Sequence, residues 1–212
     1  MKSFFYGTSI IFVIITSICL AAPEPAIVPA LGQWTVDTEF THPEQIVMHR
    51  ASDKQPVRFW YTIITLTNNA DEDVAFFPKC DLMTDTFQIT QAGKDVSPIV
   101  FEQIKKRHKS RYPFLELLSM SSNRILQGED NTKDIAVIWP DFDVKAKNIR
   151  LFIAGLSNET IAINHPVAND DLGNPLKVFL RKTLELNYDL KGDPAIRSGA
   201  GLTYKGKRWI MR

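Results

Sequence analysis

Soft donor atoms are scattered through this chain at His42, Met48, His49, Cys80, Met83, His108, Met120 and His165. A copper or zinc ion needs three or four of them to converge. Met48-His49 is the one adjacent pair, and neither His-x-x-x-His nor Cys-x-x-Cys spacing occurs. A metal-binding or redox accessory protein using Cys80 with Met or His ligands is therefore an alternative reading, and no cofactor is expected. Charge is the second concentrated chemistry. The run Lys105-Lys106-Arg107-His108-Lys109-Ser110-Arg111 makes Lys105, Lys106, Arg107, Lys109 and Arg111 candidate anion-binding residues. No aromatic residue interleaves with it, so nucleic acid is not expected as the partner. A solvated helix or loop face accounts for the same run.

Acidic residues gather at Asp71-Glu72-Asp73, Glu129-Asp130 and Asp141-Phe142-Asp143. Loops of this kind hold calcium in some sandwiches, but none has the spacing of a calcium-binding helix-loop-helix, and turn chemistry explains all three. Gly155-Leu156-Ser157-Asn158-Glu159 lacks the second glycine of a nucleophile elbow and sits between two predicted strands, so it reads as a hairpin turn. There is no Gly-x-Gly-x-x-Gly and no phosphate-binding loop. The sequence thus predicts a non-enzymatic protein. A hydrolase of unfamiliar design is a second alternative.

The elements that must position these residues follow an export leader. Met1-Lys2, an apolar run centred on Ile10–Ile15 and the small pair Ala21-Ala22 read as a signal peptide over residues 1–22. The apolar run is about 16 residues from Phe4, short of the roughly 20 that a spanning helix needs. Cleavage and an exported location (periplasm, cell envelope or extracellular space) are expected, with no stable membrane insertion afterwards. Cleavage removes Cys19 and leaves Cys80 alone, so no internal disulfide is expected and a buried thiol is. The whole chain has 25 basic and 24 acidic residues, and loss of Lys2 balances them. Net charge therefore makes no case for a polyanionic partner.

Residues 23–31 carry three prolines and read as an extended spacer; a single domain is expected over 32–212. Strands are predicted at 34–40, at 57–67, from Val74 to Phe77, at 87–90, around Ile135, Val137 and Trp139, and around Ile149, Leu151 and Ile153. Further strands fall at Ile161 and Ile163, over about 176–189, and at 208–211. The 57–67 segment is apolar on both faces, as a central strand requires. In the long strand Val178, Leu180, Leu184 and Leu186 share one side. Lys177, Arg181, Glu185 and Asn187 share the other, which is expected to be wet. Residues 98–122 fit one or two short helices split by Pro113, an insertion expected to cover one end or edge of a sheet. Strand spacings near ten residues predict a mainly β, antiparallel sandwich with this short helical insertion.

Three stretches carry a family likeness: Trp60–Asn69 with its acidic turn; Gly128–Trp139 together with Phe152–Ser157; and Phe179–Leu186 with Trp209–Arg212. They resemble an uncharacterised group of bacterial exported proteins with an immunoglobulin-like sandwich. The resemblance implies that fold and an exported location, and carries no active site. The expectation is an exported sandwich that binds an unknown protein or envelope polymer, or serves as a structural part of the envelope. The C-terminal edge at Trp209 is its candidate interaction surface.

Overall fold

The computed structural model describes residues 23–26, 29–49, 56–192 and 201–212; the leader expected at 1–22 lies outside them. In chain order the strands begin with β1 (Asp37–Phe40), β2 (Glu44–Met48), β3 (Val57–Thr67), β4 (Val74–Ala75), β5 (Lys79–Thr84) and β6 (Ile89–Gln91). Helix α1 (Pro98–His108) comes next, then β7 (Glu116–Leu117), β8 (Arg124–Ile125), β9 (Lys133–Pro140), β10 (Asn148–Ala154), β11 (Thr160–Asn169), β12 (Pro175–Lys191) and β13 (Gly201–Met211).

Two antiparallel sheets carry the fold, as the strand spacing predicted. In the first, β1 and β2 pair in tandem along one side of β3, β9 pairs along the other, and β7 adds in parallel to β9. The second is built on β12. Its C-terminal half is flanked by β10 and β13, and β5 and β6 extend the sheet beyond β10. Its N-terminal half pairs only with β11 among the described residues. A small β4–β8 pair lies apart.

Alternation decides which side chains meet between the sheets. Trp60, Ile64 and Leu66 of β3 point inward, with Ile135, Val137 and Trp139 of β9. Facing them are Cys80 and Leu82 of β5, Ile149, Leu151 and Ile153 of β10, and Leu184, Leu186 and Tyr188 of β12. Phe59, Tyr61 and Ile63 point the other way, into a second core under α1 with Val100, Phe101 and Ile104. This is why 57–67 is apolar on both faces. Each such side chain, fully buried, contributes about 1.5–3 kcal/mol. Pro98 suits the first turn of α1, and Lys105–His108 in its last turn complement the helix dipole.

The insertion meets expectation in part. Helix α1 covers the outer face of the first sheet, whereas β7 covers the edge at β9, as expected of the insertion. Of the one or two helices expected, only α1 is an α-helix; after Pro113, Glu116–Leu117 extends along the open side of β9 and Leu118–Met120 forms a single 3-10 turn. Pro113 cannot continue α1, Leu115 is drawn into the second core, and pairing with β9 satisfies the backbone of Glu116 and Leu117. Strands β2 and β5 were not expected; Glu44, Lys79 and Asp81 interrupt their apolar content.

Residues 155–159 are not a hairpin turn. Strands β10 and β11 do not pair with each other; both lie along the side of β12 opposite β13. The Lys182 N–H donates to Glu159 O, whereas Arg181 exchanges both backbone bonds with Arg212 at the end of β13. The connection is a jog that carries the chain from β10 to β11. Gly155 sits there at φ 92°, and a Cβ would fall 2.7 Å from Phe77 O, so both conformation and space demand glycine.

Candidate functional site

Trp209 leads to the site. On β13 it stands opposite Leu184 and leans against the main core. The Nζ of Lys182 lies 5.3 Å from the centre of its ring, within reach of a cation–π attraction. Lys182 is only 3 % exposed, an unusual state for a lysine unless it is paired. Its ammonium is 3.1 Å from Glu159 Oε2 and donates to Thr35 Oγ1 at 3.2 Å and to Ala26 O at 2.9 Å. Glu159 Oε1 in turn accepts the Ala26 N–H at 2.8 Å. The pair thus grips the N–H and the C=O of one residue of an extended, proline-containing segment.

The chain before β1 is sewn to the 155–159 connection, which fixes both partners. Val36 N–H donates to Leu156 O, Asn158 N–H to Trp34 O, and Trp34 N–H to Asn158 Oδ1. The Ser157 hydroxyl donates to Trp34 O at 2.8 Å. Between this seam and β13 runs a groove of about 970 Å³ with Leu184, Trp209 and Met211 among its lining, and with Pro23, Pro25 and Pro29 along one wall. Its lining is mixed, with Glu24, Asp37, Lys207 and Arg208 beside the apolar side chains, and it holds a buried ion pair and a backbone-directed donor and acceptor.

The other sequence candidates lie elsewhere. The basic run occupies the last turns of α1 and the turn after it, on the far side of the first sheet. Arg107 donates to Tyr61 Oη and Gln45 O, both at 3.2 Å, and lies 4.0 Å from Glu44. The Tyr61 hydroxyl donates to Glu44 Oε2 at 2.7 Å and meets His108 Nε2 at 2.8 Å. Burial, reinforced by Glu44, pushes the Tyr61 hydroxyl up to about 12. Lys105 lies over Phe101 and Arg111 over Tyr112. Lys106 stands beside Arg107 on α1, and Lys109 follows the helix end. Arg107 and His108 therefore fasten α1 to β2 and β3.

Cys80 lies in the main core, and burial, with the charge of Asp81 added, drives its thiol pKa far up. The thiolate needed for metal binding or attack is correspondingly disfavoured. Among the described residues no group of three or more His, Cys, Asp or Glu side chains converges on a metal-sized point.

Lys182 and Glu159 escaped sequence reasoning. One signal was present: in Val178, Leu180, Lys182, Leu184, Leu186, a lysine interrupts the apolar side of the strand. On the supposedly wet side Glu185 is buried instead, because Arg208, directly opposite on β13, covers it with bonds of 2.9 and 3.2 Å. Comparison with known proteins finds no family model, no curated protein and no solved structure that matches this chain.

Proposed function

We propose that this chain is an exported, non-enzymatic, immunoglobulin-like sandwich that binds an extended segment of another polypeptide in the groove beside β13. The observation that carries the reading is the grip on Ala26, in which Lys182 holds the carbonyl and Glu159 the N–H. Main-chain bonds of this kind select backbone conformation, and the apolar floor at Trp209 selects side chains. Proline-containing segments lose little entropy on binding because they are already extended. The chain's own residues 23–26 take this grip in cis and form one wall of the groove. The leader pattern at 1–22 and the likeness to exported sandwich proteins support a partner outside the cytoplasm. The non-enzymatic reading is supported by the Ser157 hydroxyl being committed to Trp34 O and by the burial of Cys80.

The test uses protein that begins at residue 27, so that it lacks residues 23–26, and titrates in a labelled peptide of the sequence 23–31. Saturable binding with a dissociation constant of about 1–100 µM is expected for a segment of this size. No saturation at millimolar peptide contradicts the proposal.

A further inference from the structure

The N-terminal half of β12 forms, with β11, a two-stranded arm that extends past the rest of its sheet. A hairpin alone is marginal in water, yet this one is firmly made. Its tip is closed by Asp170, which accepts the N–H groups of Leu172 and Asn174 at 2.9 and 2.8 Å. Ile161 and Ile163 of β11 share a face with Val178 and Leu180 of β12, and alternation adds Leu176. None of the five belongs to either buried core or packs against one. Leu176 is 44 % exposed, and Phe179 on the opposite face 67 %.

The arm also has an open lane. Strand β13 pairs with β12 back to Lys182, and Arg212 then exchanges backbone bonds of 2.8 and 3.1 Å with Arg181. Beyond Arg181 nothing among the described residues pairs on that side of β12. The backbone groups of Arg181 point into this lane, so by the two-residue repeat those of Lys177 and Phe179 do as well. Two N–H and two C=O groups therefore stand ready for another strand. Lys177 and Arg181 flank Phe179 on one face, and Arg212 adjoins them. The strand from 175 to 181 contains no acid. Two copies of this edge would bring like charges together, which disfavours self-pairing.

We propose that this edge of the arm, residues 176–180, accepts by strand addition an extended partner segment in which acidic residues alternate with apolar ones. The acids face Lys177 and Arg181, and the apolar residues continue the stripe of Leu176, Val178 and Leu180. This surface does not depend on the groove at Lys182 and Glu159.

The test is fluorescence anisotropy of the purified protein with two probes, a nine-residue peptide alternating Glu with Val and its counterpart alternating Lys with Val. The acidic probe is expected to saturate below about 100 µM, and the basic one to bind at least tenfold more weakly. The substitution Phe179→Pro removes an N–H that no other described residue uses. It should weaken acidic-peptide binding at least tenfold while leaving the melting temperature unchanged. Should that variant be unstable, methylating the peptide backbone at alternate nitrogens tests the same bonds and should abolish binding. The combined change Lys182→Met with Glu159→Gln should leave this binding intact. Equal affinity for both probes, undiminished binding by Phe179→Pro or by the methylated peptide, or no saturation at 1 mM overturns the proposal. So does a homodimer, seen by sedimentation, that Phe179→Pro dissociates, because the occupant is then a second copy.

Discussion

The two halves of β12 carry the same alternation and meet opposite fates. Between Leu184 and Tyr188 the apolar side faces the first sheet, and Leu186 is fully buried. Between Leu176 and Leu180 the apolar side is just as regular, but it joins neither core. Lys182 stands at the junction. Periodicity fixes which face a side chain occupies; burial also requires an opposing layer that reaches it. Where the layer stops, the same pattern leaves its apolar side outside the core, and the groove and the arm both lie at that boundary.

Truncations probe this difference most strongly. Leu186→Ala should cost about 2–5 kcal/mol of stability, as deletions in well-packed cores do. Leu180→Ala should cost below about 1 kcal/mol, in the range of surface substitutions. Chemical denaturation of both variants measures the gap, and equal losses would mean that the arm is as integral to the fold as the core half.

At the junction the expected loss is about 3 kcal/mol for Lys182→Ala, because Glu159 keeps its charge in a mostly buried position with no cation beside it. Adding Glu159→Gln should recover part of that loss. A double variant no more stable than Lys182→Ala would show that the lysine acts through packing on Trp209 instead.

The smallest effect separates this edge from the opposite side of the sandwich. Tyr61 titrates near 10.0 when free and near 12 when folded. Between those values the unfolded chain gives up its proton first. Its contribution to stability is thus whole below pH 10 and falls as pH rises toward 12. Tyr61→Phe should remove this component of the alkaline loss, measured as the difference between two melting curves over pH 9–12. Identical pH dependence would place the loss in other groups.

Much of the fold was legible because its largest strands obey a two-residue rhythm undisturbed. Val57–Thr67 announced burial on both faces, and β9, β10 and β12 announced one apolar side each. Strand β5 was hidden because Lys79 and Asp81 flank Cys80. Asp81 there is satisfied by Arg212, which is 131 residues away in sequence. The groove was half legible. Trp209 marked the edge strand, and Lys182 broke an apolar series. Nothing local connects that lysine to Glu159, Thr35 and Ala26, since the jog at 155–159 and the seam along residues 32–36 bring them together only in three dimensions. The basic run drew attention as a charge cluster, but neither Glu44 nor Tyr61 is near it in sequence to signal that Arg107 and His108 are engaged.

In the proposed function the Lys182–Glu159 pair recognises the backbone of an extended segment. The most direct measurement titrates the 23–31 peptide into two proteins that lack residues 23–26, one with the pair intact and one carrying Lys182→Met with Glu159→Gln. A loss of affinity of tenfold or more on changing the pair, about 1.4 kcal/mol, is the predicted result. Equal affinity for the two proteins would contradict it.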